Sequence, residues 1–436
     1  MARREATSPE DFLHALFPAR RLRDQARDLG VVVRQRKVDA YLFFCAVVLS
    51  AGGRCCRSIA DLGAHLHLRT GIELARSAFW DRFSPAFEAL VAWALDRLEH
   101  RAGSKVHRAT GLLRGFADVV VADATVVAVH PLLKRLWPGT RRTSSPAAVK
   151  VHTRVRATSG ELLSHRITKE AYGDVRAFGV TWADRAKLFL FDMAYSVPAV
   201  WRRIDRVGAF FVARLPASHC PIITTVLRRH RGRTRSLVGK SLHEATRGLK
   251  RSVVEVKCVF RSRVCAYAGR KRGRIASTPF RVVGLWDTTE RSYHFYVTNL
   301  PRERLPAESV GELYRLRRQV ELFYKTAKGG LGLGELRSTK PHIVRTCISA
   351  ALIRASVATQ AACEVSCFVP KERWIGMVKW TKAWRRALEE ILPRRRGWRA
   401  PRITWRSLAR LAMDPNRTRP PTRWRLCLEL VPARST

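Results

Sequence analysis

The stretch from Tyr314 to Lys328, YRLRRQVELFYKTAK, constrains this chain more than any other. On a helix, which advances about 100° per residue, Leu313, Leu316, Val320, Phe323, Tyr324 and Ala327 form one apolar stripe suited to a core. Tyr314, Arg317, Glu321, Lys325 and Lys328 form a second stripe along its edge. One carboxylate therefore stands between Arg317 and Lys328, beside a buried face. Ser309 and Glu312 have the spacing of a capping box that opens this helix, and Gly329-Gly330 reads as its stop. Taken alone, the pattern is also that of an ordinary amphipathic helix whose edge charges pair at the surface.

Strand patterns lie upstream. Phe116 to Val129 (FADVVVADATVVAV) is β-branched and continuous, which predicts a strand buried on both faces, interrupted at Asp123. An unpaired carboxylate there costs on the order of several kcal/mol, so it needs a hydrogen bond or a metal. Asp118, at the strand's start, reads as solvated. Ala148 to Arg156 and Leu162 to Thr168 alternate around Ser159-Gly160 as a hairpin. After a helical stretch, Lys187 to Asp192 (KLFLFD) is a second short apolar strand ending in an acid, followed by Ala194-Tyr195-Ser196 and a helix from Val197. Asp174 and Asp184 terminate no such pattern. Gly208 to Leu215 supplies another strand, and Val253 to Phe260, Val264 to Tyr267, Phe280 to Trp286 and Tyr293 to Thr298 are strand-like too.

Charge narrows the choice of partner. With 82 Lys and Arg against 35 Asp and Glu, the net charge of +47 gives a surface that repels itself unless it meets a polyanion, for which nucleic acid is the usual candidate. A hydrophobic content of 46% excludes a disordered chain. A polybasic membrane-surface protein would share the charge but would carry an amphipathic or lipid anchor, and neither is found, so no membrane partner is expected. The longest apolar run, Ala40 to Ala51, falls short of the roughly 20 residues of a membrane span and reads as a buried helix. No basic region followed by an apolar one opens the chain, so export is not expected. The 10 cysteines fit reduced thiols in a cytosol. Cys55-Cys56 near His65 and His67, and Cys363 with Cys367, lack the paired spacing of a structural zinc site.

The 314–328 stretch also has the form Y-x2-R-x3-E-x6-K, with Tyr314, Arg317, Glu321 and Lys328 in its four places. In this it resembles the C-terminal signature of bacterial insertion-sequence transposases that use an Asp-Asp-Glu triad. Asp123-Ala124-Thr125 resembles the family's first catalytic aspartate with its following small residue and threonine. Asp192, followed at a short distance by Ala194-Tyr195, resembles the second. The resemblance spans about residues 55 to 362.

It implies an α/β chain: a ribonuclease-H-like catalytic core with a β-rich insertion, preceded by a helical DNA-binding domain. The expected division is a helical, DNA-binding 1–110, the first part of the core at 111–216, the insertion at 217–300, the signature helix and end of the core at 301–365, and a basic Trp/Arg-rich 366–436. Asp123, Asp192 and Glu321 would be the catalytic and metal-binding acids, with Mg²⁺, or Mn²⁺ in its place, as cofactor. Tyr314, Arg317 and Lys328 would contact DNA. The implied partner is double-stranded DNA, both element ends and target, bound by a dimer in the synaptic complex on the cytoplasmic nucleoid. In relatives, an aromatic residue of the insertion stacks on a flipped base. Here His294 stands at that place, and Tyr293 and Trp286 are open to either base stacking or core packing. The stretch after Arg57, with Arg54, Arg69 and Arg76, reads as a helix-turn-helix-like unit or as plain helical packing. Gly329 to Gly334 reads as a helix cap and turn. KWTKAWRR and PRRRGWRAPR read as a basic tail or as phosphate and base contacts. Two further readings stay open: a nuclease of the same fold, and a DNA-binding protein with an inactive or repurposed core.

Overall fold

The structure is a computed structural model that describes residues 8–33, 38–50, 59–104, 111–140, 146–216, 218–219, 221–228, 237–247, 249, 253–260, 276–330, 333, 335–336, 338–370, 373–391 and 403–414. Arg54, Cys55, Cys56, Arg57, the 264–267 segment, Gly332, Gly334 and the PRRRGWRAPR run lie outside them.

Helices come first: α1 (Pro9–Leu16), α2 (Ala19–Asp28), α3 (Ala40–Cys45), α4 (Ile59–Thr70), α5 (Arg76–Trp80) and α6 (Pro85–Gly103). Local signals fix their starts. Ser8 accepts from the Asp11 N–H and Ser84 from the Phe87 N–H, and each is followed by a proline whose missing N–H is no loss there. The apolar run continues α3 through a π-turn at Ala46–Ser50. The Val47 and Val48 carbonyls accept from the buried Arg354 guanidinium at 3.2 and 2.8 Å.

One sheet follows. Its strands are β1 (Val119–Val129), β2 (Ala148–Arg156), β3 (Leu162–Lys169), β4 (Leu188–Phe191), β5 (Phe210–Arg214), β6 (Ile222–Val226), β7 (Val254–Phe260), β8 (Ala276–Asp287), β9 (Ser292–Thr298) and β10 (Glu335–Leu336). The order is β3-β2-β1-β4-β5-β9-β8-β7-β6, with β10 beside β1. The hairpin at Ser159-Gly160 forms as its alternation predicts, Gly160 taking the left-handed φ of +75° that the turn needs. β1 to β4 and β4 to β5 run parallel, while β5 to β9 is antiparallel. The strands expected at Val253 to Phe260, Phe280 to Trp286 and Tyr293 to Thr298 thus prolong the same sheet, because β9 pairs with β5 and hides the edge that β5 would otherwise expose. Between them the chain forms α7 (Asp174–Ala177), α8 (Pro198–Arg206) and α9 (Leu242–Thr246).

The signature stretch departs from one regular helix. It comprises α10 (Ala307–Tyr314), a 3₁₀ turn at Arg315–Arg317, α11 (Arg318–Lys325) and a π-turn at Thr326–Gly330. The capping box at Ser309 does not open it. Pro306, at φ −55°, is the cap residue, and Ser309 already lies inside the first turn, because proline's fixed φ starts the helix earlier. The apolar stripe is buried as its spacing predicts, with Leu313, Leu316, Val320, Phe323, Tyr324 and Ala327 all in the core.

Among the described residues, three more helices follow: α12 (Pro341–Ser366), α13 (Met377–Ile391) and α14 (Trp405–Ala412). α12 is long and apolar enough to cross a bilayer by length and composition, and 89% of its apolar window is buried inside the molecule. Its neighbours include α6 and α14. Trp380, Trp384 and Trp405 are buried, Trp384 stacking on both Trp380 and Trp405 at ring separations of 5.3 and 6.0 Å. Phe12 of α1 meets Trp384 and Trp405 edge-on. The tryptophans of KWTKAWRR are therefore core residues, neither a loose tail nor exposed stacking platforms. One apolar core runs from α1 through β1 and α11 to α14, and a second lies on the opposite face of the sheet beneath α8 and α9.

Candidate active site

A split in the sheet creates the site. β4 pairs with β1 from Val119 to Ala122 and ends at Phe191, while β10 joins the same edge only at Ala128. The β1 edge is open between those points. Asp123 is the first residue in the opening, and Asp192 is the residue at which the chain leaves β4. The Ala122–Phe191 register sets these two acids side by side. Each is oriented by a backbone amide: Asp123 Oδ1 accepts from Ala124 N–H at 2.8 Å, and Asp192 Oδ1 from Met193 N–H at 2.7 Å.

The signature stretch from α10 to the π-turn brings the rest. Arg317 Nη2 lies 3.3 Å from Asp192 Oδ2 and 3.6 Å from Asp123 Oδ2, and Nη1 donates to Glu321 Oε1. One guanidinium therefore engages all three acids. Lys328 Nζ donates to the Val126 carbonyl at 3.2 Å, covering an acceptor that the open edge leaves without a strand partner. Tyr314 packs its ring 5.0 Å from that of Tyr296, and burial raises its phenol above the ordinary value. Burial lowers Lys328. Asp123 is pushed up to about 6, chiefly by burial, with the Ala124 N–H and Arg317 opposing that rise.

Oxygen donors of this kind suit a hard divalent ion such as Mg²⁺ or Mn²⁺. Among the described residues, the groups whose ligand atoms lie within 4.8 Å of one another are Asp96, Glu99, His165 and Asp287, Glu290, His294, neither of which includes Asp123, Asp192 or Glu321.

Tyr324 is a participant that periodicity assigns only to the core. Its hydroxyl lies 3.0 Å from the Asp123 carbonyl oxygen, 3.1 Å from that of Val151 and 2.8 Å from Thr153 Oγ. It pins α11 to β1 and β2 beneath the acids. A buried tyrosine hydroxyl must find polar partners, and that requirement is the sequence signal for such a role.

The competing acids are otherwise engaged. Asp118 is buried, not solvated: Arg156 Nε lies 3.0 Å from both its oxygens, and the same guanidinium reaches Glu161 at 2.6 Å and the Ala102 carbonyl of α6 at 3.0 Å. Asp184 pairs with Lys187 and Arg154, and Asp174 with Lys150. Tyr293 is half-buried, donates to the Leu249 carbonyl and packs against Trp286. His294 binds Glu290 at 2.7 Å. Arg76 is exposed in the helical N-terminal segment.

Three acids thus meet one guanidinium at the split of a mixed sheet, in a chain charged to meet a polyanion. The chain belongs to the family of the transposase DDE domain, whose match covers residues 114–354, more than half its length. It is a DDE transposase of the bacterial insertion-sequence kind, an enzyme acting on DNA. It is 22% identical over 341 residues to the transposase for insertion sequence element IS231B of Bacillus thuringiensis subsp. berliner, covering 70% of each chain. A shorter match, 34% over 87 residues, links it to the putative transposase InsL for insertion sequence element IS186A of Escherichia coli (strain K12), covering 20% of this chain and 21% of that one. The cryo-EM structure of the piggyBac transposase synaptic complex with hairpin DNA overlays with a TM-score of 0.47 at 9% identity, covering 89% of this chain and 82% of that one.

Proposed function

We propose that Asp123, Asp192 and Glu321 form the catalytic triad of this transposase, cleaving DNA at insertion-sequence ends with Mg²⁺ and joining the freed ends to a target. The observation that carries the reading is the convergence of these three acids on the Arg317 guanidinium. The bound ions would activate the oxygen nucleophile and neutralise charge on the phosphate and leaving group. Asp123 and Asp192 would hold one ion between them, and Glu321 would complete the second site. Arg317 and Lys328 take up phosphate oxygens, and Tyr314 donates a hydrogen bond to a phosphate. Water attacks first, leaving a 3′-hydroxyl, and that hydroxyl then attacks the target phosphodiester at the same site.

A ribonuclease-H-like core is the finer fold assignment. Its support is the β3-β2-β1-β4-β5 order, with acids at the ends of adjacent strands and a later helix carrying the last. Residues 1–110 are assigned to end recognition and 111–216 with 301–365 to the catalytic core. Residues 217–300 are the β-rich insertion, and 366–436 form the basic C-terminal region. Two ends held together call for a dimer on DNA, acting at the nucleoid in the cytoplasm.

The test is Mg²⁺-dependent 3′-end cleavage and joining of a duplex carrying the gene's flanking repeats. The wild type is expected to cut and join, and Glu321→Gln to bind the duplex without cutting. Equal cutting by both proteins rejects Glu321 as a catalytic acid.

A further inference from the structure

The acids of the triad are bridged by a side chain of their own chain. We propose that Arg317 and the divalent ions compete for one place, so that metal loads fully only when Arg317 turns out to a DNA phosphate. The proposal rests on the triad reading above and adds an order to it: DNA and metal bind cooperatively, with Arg317 as the link.

Geometry makes the two cations exclusive. The guanidinium reaches Asp123, Asp192 and Glu321 at once. It is also the most buried of the four groups, at 16% side-chain exposure against 21% for Asp123, 36% for Asp192 and 49% for Glu321, so it sits within the cluster and not at its rim. Oxygens that share an octahedral Mg²⁺ at its usual bond length lie about 3 Å apart. The triad's ligand atoms are not among the groups lying within 4.8 Å of one another. An ion shared by Asp123 and Asp192 would take the place where Arg317 Nη2 faces both carboxylates.

Charge gives the direction of the exchange. Three carboxylates balance Arg317 with negative charge to spare, whereas carboxylates neutralised by divalent ions leave it buried beside like charge. An unpaired buried cation is strongly unfavourable, so Arg317 must then find another anion. A phosphodiester offers two oxygens that match the guanidinium fork. The Nε of Arg317 is buried with no hydrogen-bond partner, so only the terminal nitrogens anchor it, and rotation of the outer side chain releases them together.

Free Mn²⁺ would be measured by electron paramagnetic resonance during titration of the full-length protein without DNA. Arg317→Gln is expected to bind Mn²⁺ about 10-fold or more tightly than wild type, whereas Arg318→Gln, which removes the same charge from an exposed position on the same helix, shifts affinity by less than about 3-fold. On the unaltered protein, a short duplex, corrected for Mn²⁺ bound by DNA alone, is expected to tighten Mn²⁺ binding by a similar factor, and Mn²⁺ to tighten DNA binding equally. That arm needs no variant to fold. Equal shifts from the two arginine variants, or Mn²⁺ affinity that DNA leaves unchanged in the wild type, overturn the proposal. The double variant Arg317→Gln/Glu321→Gln separates the two readings. If it binds as many ions as tightly as Arg317→Gln, Glu321 completes no ion site and the proposed function's metal assignment fails as well. If it loses the second ion while wild type and Arg317→Gln bind alike, only the competition is refuted.

Discussion

Asp123 is held ionised at a cost to the fold. Burial lifts its pKa to about 6 from an ordinary 3.8, so the folded state takes up a proton that the unfolded chain has already lost between those values. The penalty is absent below the unfolded value, grows as pH rises between the two and is complete above about 6. Asp123→Asn in metal-free buffer is therefore expected to raise the melting temperature near pH 8, by at most roughly 2–3 kcal/mol of stability, and to do little near pH 4. An equal gain at both pH values would show that the substitution acts through packing. At this scale the sequence was readable wherever an acid ended or interrupted an apolar strand, which is why Asp123 and Asp192 stood out. Asp118 was not readable, because its neutralisation depends on Arg156, a partner that only the antiparallel pairing of β2 brings to it.

The signature stretch shows how much of an element its local pattern contains. Its buried stripe was legible because that depends only on the helical repeat. The breaks at Arg315–Arg317 and Thr326–Gly330 were not, because they answer to what the helix crosses. At one end Arg317 reaches the acids, and at the other Lys328 reaches the open β1 edge. Between them, Tyr324 sets the height of α11 above the sheet. Tyr324→Phe is expected to cost about 1–3 kcal/mol by leaving Thr153 and a buried carbonyl short of a partner. It should also slow end cleavage while DNA affinity is kept, since Glu321 rides on the same helix. Unfolding curves and single-turnover cleavage read the two effects. Unchanged values in both would mean that the helix is positioned by its apolar face alone.

Across the whole molecule, individual strands followed from apolar patterns and the net charge pointed to the partner, but the pairing order did not, because β9 meets β5 through contacts that no local pattern carries. The C-terminal region did not follow. Interleaved Trp and Arg left a basic tail and a nucleic-acid surface both open, but at helical spacing Trp380 and Trp384 fall on one face, and that face meets α1, α12 and α14. Trp384→Ala is expected to destabilise the protein by about 3–5 kcal/mol, as for other large aromatic side chains removed from a core. Denaturant unfolding would show it as a lower midpoint. A loss below about 1 kcal/mol would place Trp384 at a yielding margin.

The joining of Phe12 to Trp384 and Trp405 also sets a clock on synthesis. Trp384 is translated about 370 residues after Phe12, and at roughly 5–20 residues per second that is a wait on the order of 20 to 70 s. Through that interval Phe12 lacks the two rings that bury it, although α3 and α6, which also touch α1, are already made. A nascent chain cut short before α13 therefore leaves Phe12 without its tryptophan partners.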